Sequence, residues 1–259
     1  MKILAVGDIV GNNGIQELKL RLGKIKEEEN IDFIIVNGEN SAEGMGITEK
    51  GFNSMIEQGA NVITMGNHTW GKKEIFKFIN NPKILRPANY PEGVPGKGYG
   101  IYECNNKKIA VINIMGRVDI NILTENPFLI AKKIVEKIQN EADIIIIDFH
   151  AEATAEKIAL GYYLDGKVTA IFGTHTHVQT ADEHILPNGT AYITDIGMTG
   201  PKNSVIGMDI VASVKRFETA LPERYQIASG DSIFNGIILE IDDKTNKVIK
   251  IKRLNYGKD

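Results

Sequence analysis

Residues 33–40 read Phe33-Ile34-Ile35-Val36-Asn37-Gly38-Glu39-Asn40. Four β-favouring apolar residues in a row describe a strand buried on both faces, and the polar turn after them sets a carboxylate and an amide at its end. The same arrangement occurs upstream, where Ile3-Leu4-Ala5-Val6 runs into Gly7-Asp8, and downstream, where Asn61 to Met65 runs into Gly66-Asn67-His68-Thr69. Between these strands, Leu18, Leu22 and Ile25 fall at helical spacing within residues 15–29, and Thr48 stands where it can cap a helix reaching about Gly59. A further helix is expected through residues 74–79. This β-α-β-α alternation implies parallel strands joined by helical crossovers.

Pro82, Pro87, Pro91 and Pro95 then mark a long irregular stretch. Strands at 100–103 and 109–114, joined by Asn105-Asn106-Lys107, predict an antiparallel hairpin. A helix is expected over 128–139, with buried strands at 144–147 and 168–172. The last third predicts strands at 183–186, 191–194, 236–241 and 248–254, the final two joined by a turn at 242–246. No internal repeat, low-complexity segment or linker interrupts the pattern, so a single domain over 1–259 is expected.

At 259 residues the chain is long enough to bury roughly 70–75% of its unfolded surface. Hydrophobic content of 42%, charged content of 24% and a net charge of −3 are ordinary for a soluble protein, and no basic block points to duplex nucleic acid. Cys104 stands alone, which excludes an intrachain disulfide. Met1 to Asp8 meets a charge too soon for a signal peptide, and no apolar run nears the ~20 residues of a membrane helix, so a cytoplasmic protein away from the membrane is expected. The antiparallel strands near the carboxyl end offer an edge on which a second copy has room to pair as a homo-oligomer.

Chemistry gathers at the strand ends. Four of the five histidines lie in Gly66-Asn67-His68-Thr69, Phe149-His150-Ala151-Glu152 and Gly173-Thr174-His175-Thr176-His177. In parallel α/β sheets the carboxyl ends of the strands form the crevice where ligands bind, so Asp8, Glu39, Asn67, His150 and His175 should converge on one edge. Carboxylate, amide and imidazole donors together suit manganese, iron or zinc better than calcium. Two such ions ~3.5–4 Å apart need a bridging anion, for which Glu39 is the candidate.

The order Gly-Asp, Gly-Glu-Asn, Gly-Asn-His, His, Gly-Thr-His-Thr-His resembles the calcineurin-like metallophosphoesterase superfamily. Its bacterial YmdB-type phosphodiesterase branch is the nearest in pattern, through Asp195-Ile196-Gly197-Met198-Thr199-Gly200-Pro201 and Ser204-Val205-Ile206-Gly207-Met208. The resemblance spans nearly the whole chain. It implies a four-layer α/β/β/α sandwich that hydrolyses small phosphodiesters, with cyclic nucleotides (2′,3′- or 3′,5′-cyclic) as substrates. Two positions depart from the superfamily pattern: Asp8 is followed by Ile9-Val10 where Asp-x-His is usual, and Glu39 stands for the usual bridging aspartate.

With Asn40 substituting for the missing imidazole, the resemblance implies Asp8, Glu39, Asn40 and His177 around one metal and Glu39, Asn67, His150 and His175 around the other. Two divalent or mixed-valence ions are implied, iron or manganese first and zinc third. A hydroxide bridging them would attack phosphorus, with His68 assisting the leaving alkoxide.

Other readings attach to single residues. His184 is expected to be a surface or packing histidine, and Glu152 either orients His150 or is solvated. Asp195 and Thr199 line the pocket or belong to a structural turn. Residues 93–98 superficially suggest a phosphate loop, but Lys97 is followed by Gly98 and no helix begins there, which leaves a turn. Trp70, Tyr90 and Tyr99 offer stacking faces, with burial the commoner fate. The competing functions are a phosphomonoesterase (nucleotidase or phosphoprotein phosphatase) and a nucleotide-sensing regulatory protein without turnover. A metal-dependent amidohydrolase lacks its His-x-His start here.

Overall fold

The first strand feeds two different cores. In the computed structural model, which describes residues 1–224 and 226–257, Ile3 and Ala5 enter one apolar cluster while Leu4 and Val6 enter another. Phe33 and Ile35 repeat the division against Ile34 and Val36. In the facing sheet Ile144 and Ile146 join the central cluster, and Ile145 and Ile147 pack outward. The period-2 alternation of strands therefore yields three apolar layers between four layers of structure. The result is the α/β/β/α sandwich.

The first sheet begins with β1 (Lys2–Val6), β2 (Asp8–Ile9), β3 (Phe33–Asn37), β4 (Val62–Thr64) and β5 (Ile84–Leu85). The second contains β6 (Tyr99–Cys104), β7 (Lys107–Met115), β8 (Ile144–His150), β9 (Ala170–Thr174), β10 (His184–Ile185) and β11 (Ala191–Ile193). The chain then returns to the first through β12 (Met198–Pro201), β13 (Ser232–Ile241) and β14 (Val248–Tyr256). Strand order is β2-β12-β13-β1-β3-β4-β5, with β14 on β13, against β10-β11-β9-β8-β7-β6. β1, β3, β4 and β5 run parallel, as do β7, β8, β9 and β11.

Helices α1 (Gly11–Glu29) and α2 (Glu49–Glu57) cover the first sheet through Leu18, Leu22, Phe52 and Met55. Helices α3 (Pro127–Ile138) and α4 (Thr154–Tyr163) cover the second through Val135, Ile138, Leu160 and Leu164. The last helix, α5 (Ile210–Thr219), buries none of its residues. Thr48 caps α2 by accepting from the Gly51 amide at 3.1 Å, as read from the sequence. The hairpin of β6 and β7 turns through Asn105 and Asn106, both at positive φ.

Several elements differ from expectation. Helix α1 starts at Gly11, four residues early: the Gly11 amide donates to the Asn40 carbonyl, and at Gly14 a Cβ would sit 2.3 Å from the Thr199 carbonyl oxygen. Glycines that read as a turn are there for close packing. The helix expected through 74–79 is a 3-10 turn over Lys73–Lys77; Lys72 offers no side-chain cap, and Phe78 leaves helical geometry at φ −131°. Helices α4 and α5 and the short strands β2, β5 and β12 were not expected.

Candidate metal centre

Both sheets deliver side chains to one edge. Asp8 lies in β2, and Glu39 and Asn67 follow β3 and β4; His150 ends β8, and His175 and His177 follow β9. His150 therefore closes its strand instead of following it. Asp8, Glu39 and His150 are fully buried.

Each of the three buried histidines has one ring nitrogen tied to the protein. The His150 Nδ1–H donates to Thr174 Oγ1 at 2.9 Å, and that hydroxyl donates to Asp148 Oδ1 at 2.6 Å. Asp148 is buried and accepts also from Thr64 Oγ1 at 2.5 Å and Asn37 Nδ2 at 3.2 Å. The His175 Nε2–H points to Glu152 Oε2 at 2.9 Å, and the His177 Nδ1–H donates to the Ile206 carbonyl at 2.8 Å. Anchoring one nitrogen leaves the lone pair of the other facing inward.

Those inward atoms crowd together. Around His150 Nε2 lie Asn67 Oδ1 at 2.8 Å, Glu39 Oε1 at 2.9 Å and His175 Nδ1 at 3.1 Å. One nitrogen holds a single lone pair or a single proton, so it cannot satisfy three acceptors. Beside this group, Asn40 Nδ2 donates to His177 Nε2 at 2.8 Å, and Asp8 Oδ1 lies 3.9 Å from the same nitrogen. Asp8 Oδ1 is buried without a hydrogen bond among the described residues. Converging lone pairs and an unpaired buried carboxylate oxygen fit divalent cations.

Electrostatics point the same way. Burial pushes the Glu39 carboxyl up, but the charge and hydrogen bond of His150, with His68 nearby, outweigh it and hold Glu39 at about 2. Burial pushes His150 down, yet Glu39, Asp8 and Asp148 lift it to about 9. Burial and the charge of His150 press His175 down to about 3, and burial lowers His177. Burial raises Asp8 well above the usual carboxylate range, with Asp195 and Glu39 adding to it against His150. A proton on His150 does, in part, what a metal would do for the whole group.

Backbone geometry has been adapted to the same end. His175 and His177 hold φ of 99° and 66°, a region that costs non-glycine residues on the order of 1–3 kcal/mol each. Asp195 Oδ2 braces the turn between them, accepting from the Thr176 amide at 3.1 Å and its hydroxyl at 2.8 Å. A Cβ at Gly66 would fall 2.3 Å from both Glu39 Oε2 and His150 Cδ2, so only glycine lets the two ligand groups meet.

A profile of the family described as YmdB-like protein matches residues 4–254. The chain belongs to the YmdB-like family. Over its whole length it is 51% identical to the 2′,3′-cyclic-nucleotide 2′-phosphodiesterase of Bacillus subtilis (strain 168), covering 98% of that protein. The crystal structure of a novel phosphatase from Mycoplasma pneumoniae superposes with a TM-score of 0.93 at 39% identity, over 98% of this chain and 92% of the other. Haemophilus influenzae NAD nucleotidase shares 13% identity at a TM-score of 0.63, over 98% of this chain and 55% of its own. That last likeness concerns the fold alone.

In this YmdB-like chain all seven expected ligand residues stand at one edge, and His68 stands with them. The His68 Nδ1–H donates to Asn40 Oδ1 at 2.7 Å, and its backbone amide donates to Glu39 Oε2 at 3.0 Å. His68 Nε2 has no hydrogen bond among the described residues, and the side chain is partly exposed. Glu152 is corrected: it orients His175, not His150. Asp195 and Thr199 are structural, since Asp195 pairs with Lys157 and Thr199 bonds the Asn235 backbone. Trp70 packs between Phe76 and Tyr90, and His184 is exposed against Tyr192. Asp148 and Thr174 were missed. A carboxylate two residues before His150, on the same face of an otherwise apolar strand, was the available signal.

Proposed function

We propose that this chain is a metal-dependent phosphodiesterase that hydrolyses 2′,3′-cyclic nucleotides. The observation that carries the metal dependence is the convergence on His150 Nε2 of lone pairs from Glu39, Asn67 and His175. The substrate class rests on the Bacillus subtilis relative. Asp8, Glu39, Asn40 and His177 would hold one ion, and Glu39, Asn67, His150 and His175 the other, with iron or manganese the metals and zinc third. When bound, the pair supplies positive charge for the phosphate oxygens and lowers the pKa of a water.

The remaining work falls to side chains. Asn40 fixes the His68 ring through Nδ1, which leaves Nε2 to carry a proton to the departing ribose oxygen. An alkoxide leaves poorly without that proton. Thr174, Glu152 and the Ile206 carbonyl hold the three ligand imidazoles in the tautomers described above.

The test is turnover of 2′,3′-cyclic AMP, 3′,5′-cyclic AMP and p-nitrophenyl phosphate by metal-stripped protein before and after adding Mn²⁺. Restored cleavage of the 2′,3′-cyclic diester above the other two supports the proposal; equal rates without metal would overturn it. A preference for the monoester would favour the second reading, a phosphomonoesterase, which the likeness to the Mycoplasma pneumoniae phosphatase recommends.

A further inference from the structure

Helix α5 has ten residues and buries none of them. Isolated helices shorter than ~12–15 residues are marginal in water, so a helix of this length needs tertiary or quaternary cover to persist. One face carries Ile210, Val214, Phe217 and Leu221, the spacing of a helix–helix seam, with Val211 beside it. Phe217 is 84% exposed and Val211 75%.

Ile206 adds its side chain to this surface: it is half exposed and shares with Phe217 a cavity of about 200 Å³. These six side chains together expose on the order of 700 Å², above the ~300–600 Å² patch of an ordinary monomer and near the ~800 Å² that each partner gives a stable interface.

We propose that α5 and Ile206 pair with the same elements of a second copy of this chain, about a twofold axis, to form a homodimer. Three features favour a second copy over other occupants. The helix needs cover whenever the protein is folded, and another copy is always present. The area matches one half of a standard isologous interface. The charges around the seam are of both signs, with Lys215 and Arg216 beside Glu218 and with Lys215 paired to Glu223 at 2.6 Å. Amphipathic helices that lie on membranes instead carry a basic polar face.

The interface would reach the metal centre through one residue. Ile206 is β-branched, yet holds a φ of 50°, a conformation that such residues reach only under constraint. Its side chain faces the patch while its carbonyl accepts the His177 Nδ1–H. Covering the patch therefore clamps the segment that orients His177.

Sedimentation velocity of the whole chain from ~1 to 100 µM tests the proposal, using the wild type, Phe217→Glu and the conservative Phe217→Leu. Because Phe217 is exposed, neither change touches the core. The expected result is a dimer for wild type and Phe217→Leu, and a monomer for Phe217→Glu with an unchanged thermal transition of the sandwich. A monomeric wild type across this range, or a dimer that survives Phe217→Glu, would overturn it. So would wild-type monomer that co-sediments with phosphatidylglycerol vesicles and loses this with Phe217→Glu, which would assign the helix to a lipid surface.

Discussion

Lys157 Nζ lies 2.7 Å from Asp195 Oδ2, and both side chains are almost wholly shut off from water. Asp195 also accepts from the Thr176 amide and hydroxyl, and its Oδ1 accepts from the Gly197 amide at 2.8 Å. The ion pair thus holds the turn that presents His175 and His177. Lys157→Met keeps the apolar stem but leaves a buried carboxylate without its cation. We expect a loss of about 3–5 kcal/mol in stability, measured by urea unfolding, together with weaker metal retention.

Thr174→Val is nearly isosteric and removes only the link between His150 and Asp148. His150 Nδ1–H then lacks its acceptor and Asp148 Oδ1 its donor. Metal affinity, followed by titration against a fluorescent chelator, should fall ~10–100-fold while the far-ultraviolet circular dichroism stays the same. Unchanged affinity would show that the hydroxyl has no part in orienting the ring.

Gly66→Ala places a methyl group against Glu39 Oε2 and His150 Cδ2. The contact falls on ligand side chains that must hold fixed positions. Purified variant should carry less metal by elemental analysis and show little diester turnover, with the sandwich intact.

The role given to His68 makes a leaving-group prediction. His68→Ala should cut turnover of 2′,3′-cyclic AMP by ~10²–10⁴, since its leaving oxygen needs a proton. Bis(p-nitrophenyl) phosphate departs as a stabilised phenolate and should lose far less. Equal losses on both, or lost metal, would remove His68 from the proton-donor role.

Acid stability should depend on Asp182. Burial pushes its carboxyl up, but hydrogen bonds from Thr180 and from the Thr194 hydroxyl and amide outweigh this and lower it. A carboxyl whose pKa is lower folded than unfolded stabilises above its unfolded value of about 3.9, and the contribution is lost as pH falls through the folded value. Asp182→Asn should therefore flatten the acid limb of stability below about pH 4, by less than ~1 kcal/mol given the group's partial exposure.

The sequence made the long, strongly apolar elements and the ligand positions legible, because runs such as Ile144 to Ile147 and turns such as Gly38-Glu39-Asn40 carry their own periodicity and punctuation. Strands of two to four residues such as β2 and β12 leave no period to read, and Gly200-Pro201 looked like a turn because its pairing with β13 is purely tertiary. Helix α5 was hidden by its setting after a loop. At the centre, what escaped were the supports: Asp148, Thr174 and Lys157 act through contacts with residues 24 to 38 positions away, which no local pattern records.

The placement of donors on the two sheets has a mechanical side. Asp8, Glu39 and Asn67 belong to one sheet, and His150, His175 and His177 to the other, so ions held among them would act as a clasp across the open edge of the sandwich. With the clasp undone, the two sheets remain joined by the central apolar layer, while the edge itself gains freedom to breathe. Amide hydrogen exchange at residues 38–40, 66–69 and 174–177 should then quicken on chelation, while the middles of β1 and β8 keep their protection.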